Sequence, residues 1–355
     1  MFNLNPQTQK KIRRFKEIKT GYYSFITLCA LLISVMVAEL WVNSRALVVN
    51  YEGEFYFPTY TAFHPGTDFG LDYGYEVNYR DLAEKFETDG GDNWVLMPLI
   101  PYNPYENHSS TNIYKPEAPS FENKHFLGTD TTSRDILARL VYGTRIALLF
   151  AITFMVAVYV IGITIGCSMG FFGGTFDLIF QRFIEIWSNV PFLYMVIIVF
   201  SVVPSTFEIP TRIAILLTVM VLFSWTGMTY YMRTETYKEK SRDYISAALL
   251  LGASNTRIIF KHILPNVIST LVTFMPFTIV GAISAITALD FLGFGLPAPT
   301  PSLGELLKQG TANLRTAGWI VTSAFATLVL LLTLVTFIGE AVRESFDPKK
   351  FTVYR

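Results

Sequence analysis

Six apolar stretches, at 22–43, 143–166, 180–203, 211–232, 267–289 and 318–341, dominate this chain. Each is long enough, at about 1.5 Å per residue, to cross roughly 30 Å of hydrocarbon as a helix. Only 16% of the 355 residues are charged, against about 25% in an ordinary soluble domain. With 51% hydrophobic and 15% aromatic residues, lipid is part of the solvent this sequence is written for. The expected fold is an all-α polytopic membrane protein with six transmembrane helices. A cleaved signal peptide is a poorer reading of the first run, which is too long for an h-region, carries Glu39 near its end and lacks a small-x-small cleavage site.

Cationic loops resist transfer across a membrane, so Lys and Arg near the helix ends set orientation. Lys10, Lys11, Arg13, Arg14, Lys16 and Lys19 precede the first run and put the N-terminus in the cytoplasm. An even number of crossings returns the C-terminus there, with Arg343, Lys349, Lys350 and Arg355. The loop between the fourth and fifth helices carries Arg233, Lys238, Lys240, Arg242, Arg257 and Lys261 and falls on the same side. The chain thus divides into a basic cytoplasmic N-terminus (1–21), a first span (22–43), an extracytoplasmic insert with the segment entering the second span (44–142), a five-helix core (143–341) containing the loop 233–265, and a cytoplasmic tail (342–355). The insert holds nine tyrosines (51, 56, 60, 73, 75, 79, 102, 105, 114) and is too aromatic for a plain disordered linker. It reads as a small subdomain or a loop wrapped on the helix ends. Asn107-His108-Ser109 fits a glycosylation sequon, a triplet that also arises by chance.

Several chemistries are excluded. The formal net charge is zero, which leaves no nucleic-acid footprint from net basicity. Cys29 and Cys167 lie in or beside apolar runs and read as small buried hydrophobes. His64, His108, His125 and His262 have no ligand spacing, and neither HExxH, CxxC nor GxSxG occurs, so no metal or catalytic residue is expected. A phosphate loop of the form GxxxxGK[ST] is also missing. ATP hydrolysis must come from elsewhere if this chain uses it.

The loop at 242–266 reads RDYISAALLLGASNTRIIFKHILPN. Good helix formers run from Tyr244 to Leu251, with Ile245, Ala248 and Leu249 on one face. Gly252 fits a helix stop, because it reaches positive φ without a Cβ penalty. Ser254 suits the N-cap of a second short helix, and Pro265 disfavours helical geometry at Leu264. A helix, a glycine turn and a second helix are expected at the cytoplasmic surface. Such a unit fits a groove on another protein. An amphipathic helix resting on lipid headgroups is the competing reading.

Ala247-Ala248, Gly252, Leu264 and Pro265 resemble the EAA signature, E-A-A-x3-G-x9-I-x-L-P, of permease subunits of bacterial ABC importers, with Ser246 in place of Glu and His262 in place of Ile. Leu127-Gly128-Thr129-Asp130 with Arg134-Asp135 and Tyr142-Gly143 is similar to the segment entering the second helix of dipeptide and oligopeptide permeases. So are Gly170-Phe171-Phe172-Gly173-Gly174 with Asp177 and Arg182, Phe291-Leu292-Gly293-Phe294-Gly295 with Pro299-Thr300-Pro301-Ser302, and Asp347-Pro348. Asp290, Glu340 and Thr336 depart from the pattern, which has Ser, Asp and Asn there. The resemblance covers about residues 10–43 and 125–350 and is to the C-type permeases of peptide ABC importers, with an enlarged outer loop most like the YejE-type member.

The resemblance implies the six-helix type I importer permease fold, residence in the bacterial inner membrane, and inward movement of peptides or peptide-like solutes. It implies as partners a homologous second permease subunit, ABC ATPase subunits or a fused tandem ATPase that bind the ATP and Mg, and a periplasmic solute-binding protein. This chain would hold no cofactor, and Tyr244, Ser246, Ala247, Ala248, Gly252, Ala253, Leu264 and Pro265 would couple it to the ATPase. An ion-gradient-driven secondary transporter is the alternative, though inverted repeats and midplane carboxylates are not evident.

Other residues carry expectations of their own. Arg182 and Glu185 share a helical face and suit a structural ion pair or a substrate contact. Gly162, Gly166 and Gly170 recur every four residues and allow close helix packing, within the chain or against a partner. Pro191, Pro204 and Pro276 mark kinks or helix ends. The segment 291–301 cannot be helical throughout and is expected to fold back over the cavity, with Asp290, Phe291, Gly293 and Gly295 as pathway or gate candidates. The insert would receive the binding protein, roof the pathway or simply stabilise the chain.

Overall fold

The computed structural model describes residues 6–108, 114–204 and 206–346. Asp347-Pro348, the cations at 349, 350 and 355, and Ser109 of the sequon lie outside them. In hydrocarbon every backbone N–H and C=O must be satisfied within the segment itself, and the apolar runs accordingly form helices. They are α2 (Lys19–Met36), α4 (Ile136–Phe172), the pair α5 (Gly174–Ser188) and α6 (Phe192–Val202), α7 (Ile209–Lys240), α10 (Leu264–Leu292) and α12 (Gly318–Phe346). Among the described residues five helices are long and apolar enough to cross a membrane, and the bent pair brings the count to six when taken as one span. A basic helix, α1 (Pro6–Glu17), precedes them. Two shorter helices, α3 (Tyr79–Asp89) and α11 (Leu303–Ala312), lie between spans, and α8 (Asp243–Leu250) and α9 (Asn255–Arg257) form the loop after α7.

Two expected spans differ in detail. The first helix stops at Met36 rather than Asn43, followed by a 3-10 turn at Ala38–Leu40. The insert claims the remainder: Val42 is fully buried in a cluster with Ile100 and Tyr102, and the Val42–Ile100 bridge replaces helical pairing. The third span is not one helix over 180–203. It bends by 72° between Ser188 and Phe192, because Pro191 lacks an N–H and disfavours the helical region at Val190.

The centre of the molecule is the α4–α7 pair. A Cβ on Gly162 would stand 2.7 Å from Met228 Cβ, one on Gly166 2.5 Å from the Thr229 carbonyl, and one on Gly170 2.7 Å from the Arg233 carbonyl. The glycine ladder thus faces α7 of the same chain and lets two backbones touch. At the end of this seam Asp177 of α5 accepts from Arg233 Nε at 2.5 Å and Nη2 at 2.6 Å, and from Tyr237 Oη at 2.7 Å. Lys240 Nζ donates to the Phe171 carbonyl at 2.5 Å.

The helical bundle is as expected, and the insert adds a small sheet to it. Strands β1 (Val48–Tyr51), β2 (Glu54–Tyr56) and β3 (Trp94–Leu96) form an antiparallel sheet in the order β2-β1-β3. Helix α3 packs on it through Tyr79, Leu82 and Phe86, with Phe69 and Val77 completing a separate small core. Tyr51, Tyr56, Tyr73 and Tyr79 belong to or pack on this core, whereas Tyr60, Tyr75, Tyr105 and Tyr114 are exposed.

Candidate functional site

Two regions at opposite ends of the bundle gather the singled-out residues. At the end remote from the insert, α7 turns into α8. Ile245 is fully buried beside Ile258, Ile259 and Ile263, which fastens α8 to the bundle. Tyr244 Oη donates to Glu239 Oε2 at 2.6 Å and accepts from Asn266 Nδ2 at 2.9 Å, tying the start of α8 to both α7 and α10. Burial, followed by the Glu239 hydrogen bond, raises the pKa of this phenol, so it stays a donor. The rest of α8 is uncovered. Ser246 and Ala247 are exposed, Ala248 half-buried, and Leu250 and Leu251 are 90% and 87% exposed.

Gly252 ends the helix at φ +78°, where an L side chain is strained. A Cβ there would meet nothing within 4 Å, so within this chain the glycine serves the turn and not a close approach. Ala253 packs against the core, and Ser254 Oγ accepts from Arg257 N as expected of an N-cap. The second helix is not a separate short element, however. Residues Asn255–Arg257 run through a π-helical turn, Ile258–Ile263, directly into α10. Leu264, expected to leave the helical region ahead of Pro265, keeps φ −55° and ψ −43°. The widened turn, in which the Leu264 N–H reaches back to the Ile259 carbonyl, leaves room for the ring of Pro265, which has no N–H of its own to donate.

At the insert end, α10 closes on Asp290 and Gly293, the latter at φ +87°. Asp290 Oδ1 accepts from Leu296 N at 2.6 Å and Oδ2 from Ser302 Oγ at 2.5 Å. Gly295 packs so tightly on this carboxylate that a Cβ would overlap Asp290 Oδ1. The chain then folds back as α11, between α10 and α12, while Phe291 remains 38% exposed. Asp290 therefore shapes the turn that carries α11.

A second network, which sequence reasoning missed in part, holds α11 from the other side. Glu305 accepts from Arg134 Nη2 at 3.0 Å and pairs with Arg139 Nη2. Arg134 Nε donates to Asp130 Oδ2 at 2.8 Å. Burial alone would raise the Asp130 pKa, but the charge and hydrogen bonds of Arg134, with Arg139 nearby, hold it below the ordinary carboxylate value. Asp130, Arg134 and Asp135 were visible as a motif. Arg139 and Glu305 were not, since no periodicity links positions so far apart.

Arg182 Nη1 donates to Glu185 Oε2 at 2.6 Å on an exposed face of α5. A further feature had gone unmarked: a cleft of about 420 Å³ between α4, α6, α7 and α10, lined by Tyr159, Ser224, Gly227, Tyr231, Thr278 and Gly281 among others. Neither Gly227 nor Gly281 has a neighbour within 4 Å of a built Cβ. The spacing of Ser224, Gly227 and Tyr231, and of Phe274, Thr278, Gly281 and Ala285, is that of one helix face and could have revealed it.

Comparison with known proteins bears on both ends. Residues 162–352 match the family described as binding-protein-dependent transport system inner membrane component. The chain is 40% identical over 352 residues, 99% of each protein, to the inner membrane ABC transporter permease protein YejE of Escherichia coli strain K12. It is 36% identical over 370 residues, 98% of this chain and 94% of the relative, to the peptidoglycan transport system permease protein YejE of Agrobacterium fabrum. The oligopeptide transport system permease protein OppC of Haemophilus influenzae is 33% identical over 232 residues, 65% of this chain and 73% of its own length.

Proposed function

The chain belongs to the family of binding-protein-dependent transport inner-membrane components, and on that premise we propose that it moves peptides or peptide-like solutes inward through the bacterial inner membrane, driven by ATP bound with Mg in separate ATPase chains. The cargo class is supported by the name of the oligopeptide permease relative, and a peptide-like solute also fits the peptidoglycan named for the Agrobacterium relative. Its other partners are a homologous second permease and a periplasmic binding protein, and both termini lie in the cytoplasm. The chain itself performs no catalysis.

One observation carries the coupling step: the tip Leu250-Leu251-Gly252, apolar, exposed and held in shape by a positive-φ turn at the end of the α4–α7 pair. A partner that changes shape with ATP can move this tip only if it binds the two states of the permease with different affinity. Ser246, Ala247 and Ala248 have short side chains and leave a partner close access to α8. Pro265 and Leu264 carry the movement into α10. At its other end, Asp290, Phe291, Gly293 and Gly295 hold α11 as the outer gate. The cleft lined by Tyr159 and Tyr231 faces the second permease and, with it, encloses the path.

The complex co-expressed with its genomic neighbours and reconstituted in proteoliposomes tests this reading. Labelled tri-alanine should accumulate with ATP in the lumen containing the ATPases, and a non-hydrolysable analogue should abolish uptake. Uptake that ignores ATP and collapses with a protonophore would instead identify a secondary transporter.

A further inference from the structure

Helix α1 closes an apolar slot of about 220 Å³ against the ends of α2 and α12. Ile12, Phe15, Phe25, Ile338, Val342 and Phe346 supply its walls. Its polar members contribute little: Ser345 turns its hydroxyl back to the Val342 carbonyl at 2.8 Å, and Lys11 Nζ stands 4.4 Å over the Phe346 ring. Ile12 and Phe25 remain 42% and 45% exposed, so the slot is open on a side that none of the described residues covers.

Around it cations outnumber acids, α12 adding Glu340 and Glu344 beside Arg343 on its side of the slot. Between residues 6 and 19 lie six cations, Lys10, Lys11, Arg13, Arg14, Lys16 and Lys19, against a single acid, Glu17, which pairs with Arg13 at 3.4 Å. The first span begins at Lys19, so cations and slot meet where helix ends pass through the headgroup layer. A peptide segment entering the slot would leave its backbone polar groups unpaired. An acyl chain has none to lose, and it brings a phosphate to the height of the lysines.

We propose that α1 and this slot form a binding site for an anionic phospholipid, one acyl chain lying between α1 and α12 and the headgroup phosphate meeting Lys10 and Lys11. The site extends the transport reading without depending on the cargo or the energy source. Basic residues beside a membrane gain about 1 kcal/mol each from anionic lipid, or about fivefold in affinity.

Native mass spectrometry of the full-length chain in mild detergent, titrated with palmitoyl-oleoyl phosphatidylglycerol, the matching phosphatidylcholine or inorganic phosphate, provides the test. Phosphatidylglycerol should bind at least tenfold more tightly than phosphatidylcholine, with millimolar phosphate failing to displace it. Lys10→Gln with Lys11→Gln should weaken phosphatidylglycerol by about 25-fold and leave phosphatidylcholine unchanged, whereas Ile12→Trp, filling the slot, should weaken both. Equal retention of the two lipids by the unmodified protein overturns the proposal whatever the variants do. So does full displacement by phosphate, which would mark a soluble-anion site, or a charge variant that keeps its preference.

Discussion

Leu250 and Leu251 separate a docking role from a structural one. Both are almost fully exposed, so neither contributes packing to the subunit's own fold. Removing three carbons from each by Leu→Ala should leave the thermal stability of the isolated chain within about 0.5 kcal/mol, the usual range for surface changes. If an ATPase subunit covers them, each substitution forfeits about 0.8 kcal/mol per buried carbon, or about 2.4 kcal/mol. That is about 60-fold in affinity per residue. Neighbouring residues need not add, so the double variant should lie between about 60-fold and about 3,000-fold weaker. The measurement is a titration of ATPase onto the permease pair in nanodiscs, alongside a melting curve of the permease alone. Ile245→Ala supplies the opposite pattern, because Ile245 is fully buried: it should cost about 2–5 kcal/mol of fold stability. Unchanged ATPase affinity in Leu250→Ala/Leu251→Ala would refute the docking argument, as would a large loss of intrinsic stability.

Two more outcomes follow from packing and charge. Gly166→Leu places a side chain where a Cβ alone already stands 2.5 Å from the Thr229 carbonyl; melting in detergent should show a loss of at least about 1–3 kcal/mol from overpacking, with Gly227→Ala, which faces open space, near neutral. The depressed pKa of Asp130 means that its network stabilises the fold fully above the unfolded value of about 3.9 and is lost as pH falls through the folded value. Melting temperature should therefore drop steeply below about pH 4, while Asp130→Asn should be less stable at pH 7 and show a shallower acid drop.

The spans were legible because hydrocarbon allows so few solutions: long apolar runs become helices, and lysines fix their ends. Gly252 and Pro191 were legible for the same local reason, one needing positive φ and the other lacking a donor. Leu264 was misjudged because a proline rule for an α-helix does not hold after a π-turn, and nothing in IIFKHI announces one. The insert's sheet escaped because its strands are three or four residues long, too short for alternation to register. Leu250 and Leu251 read as continuing an amphipathic helix. Their exposure is a fact about what does not surround them, which no local pattern contains. Arg139 and Glu305 meet only because α11 folds back.

These features share one mechanical consequence. Helix α4 is 37 residues long, about 55 Å at 1.5 Å per residue, and its two ends are the two regions described. Asp135 caps its start by accepting from Ala138 N at 2.7 Å, next to the Asp130–Arg134–Glu305 network that holds α11. Its last turn accepts from Lys240 of α7, three residues before α8 begins. Over the last quarter or so of α4, from Gly162 to Gly170, the glycine ladder lets its backbone pack directly on α7, and close-packed backbones resist compression. A displacement of α8 therefore meets little room for local repacking where the glycines bring α4 and α7 together. Under the proposed coupling it is expected to reach the far end both as movement of the α4–α7 pair and, through the π-turn, along α10, where Pro276 midway along the helix removes one backbone donor and offers a point of bending.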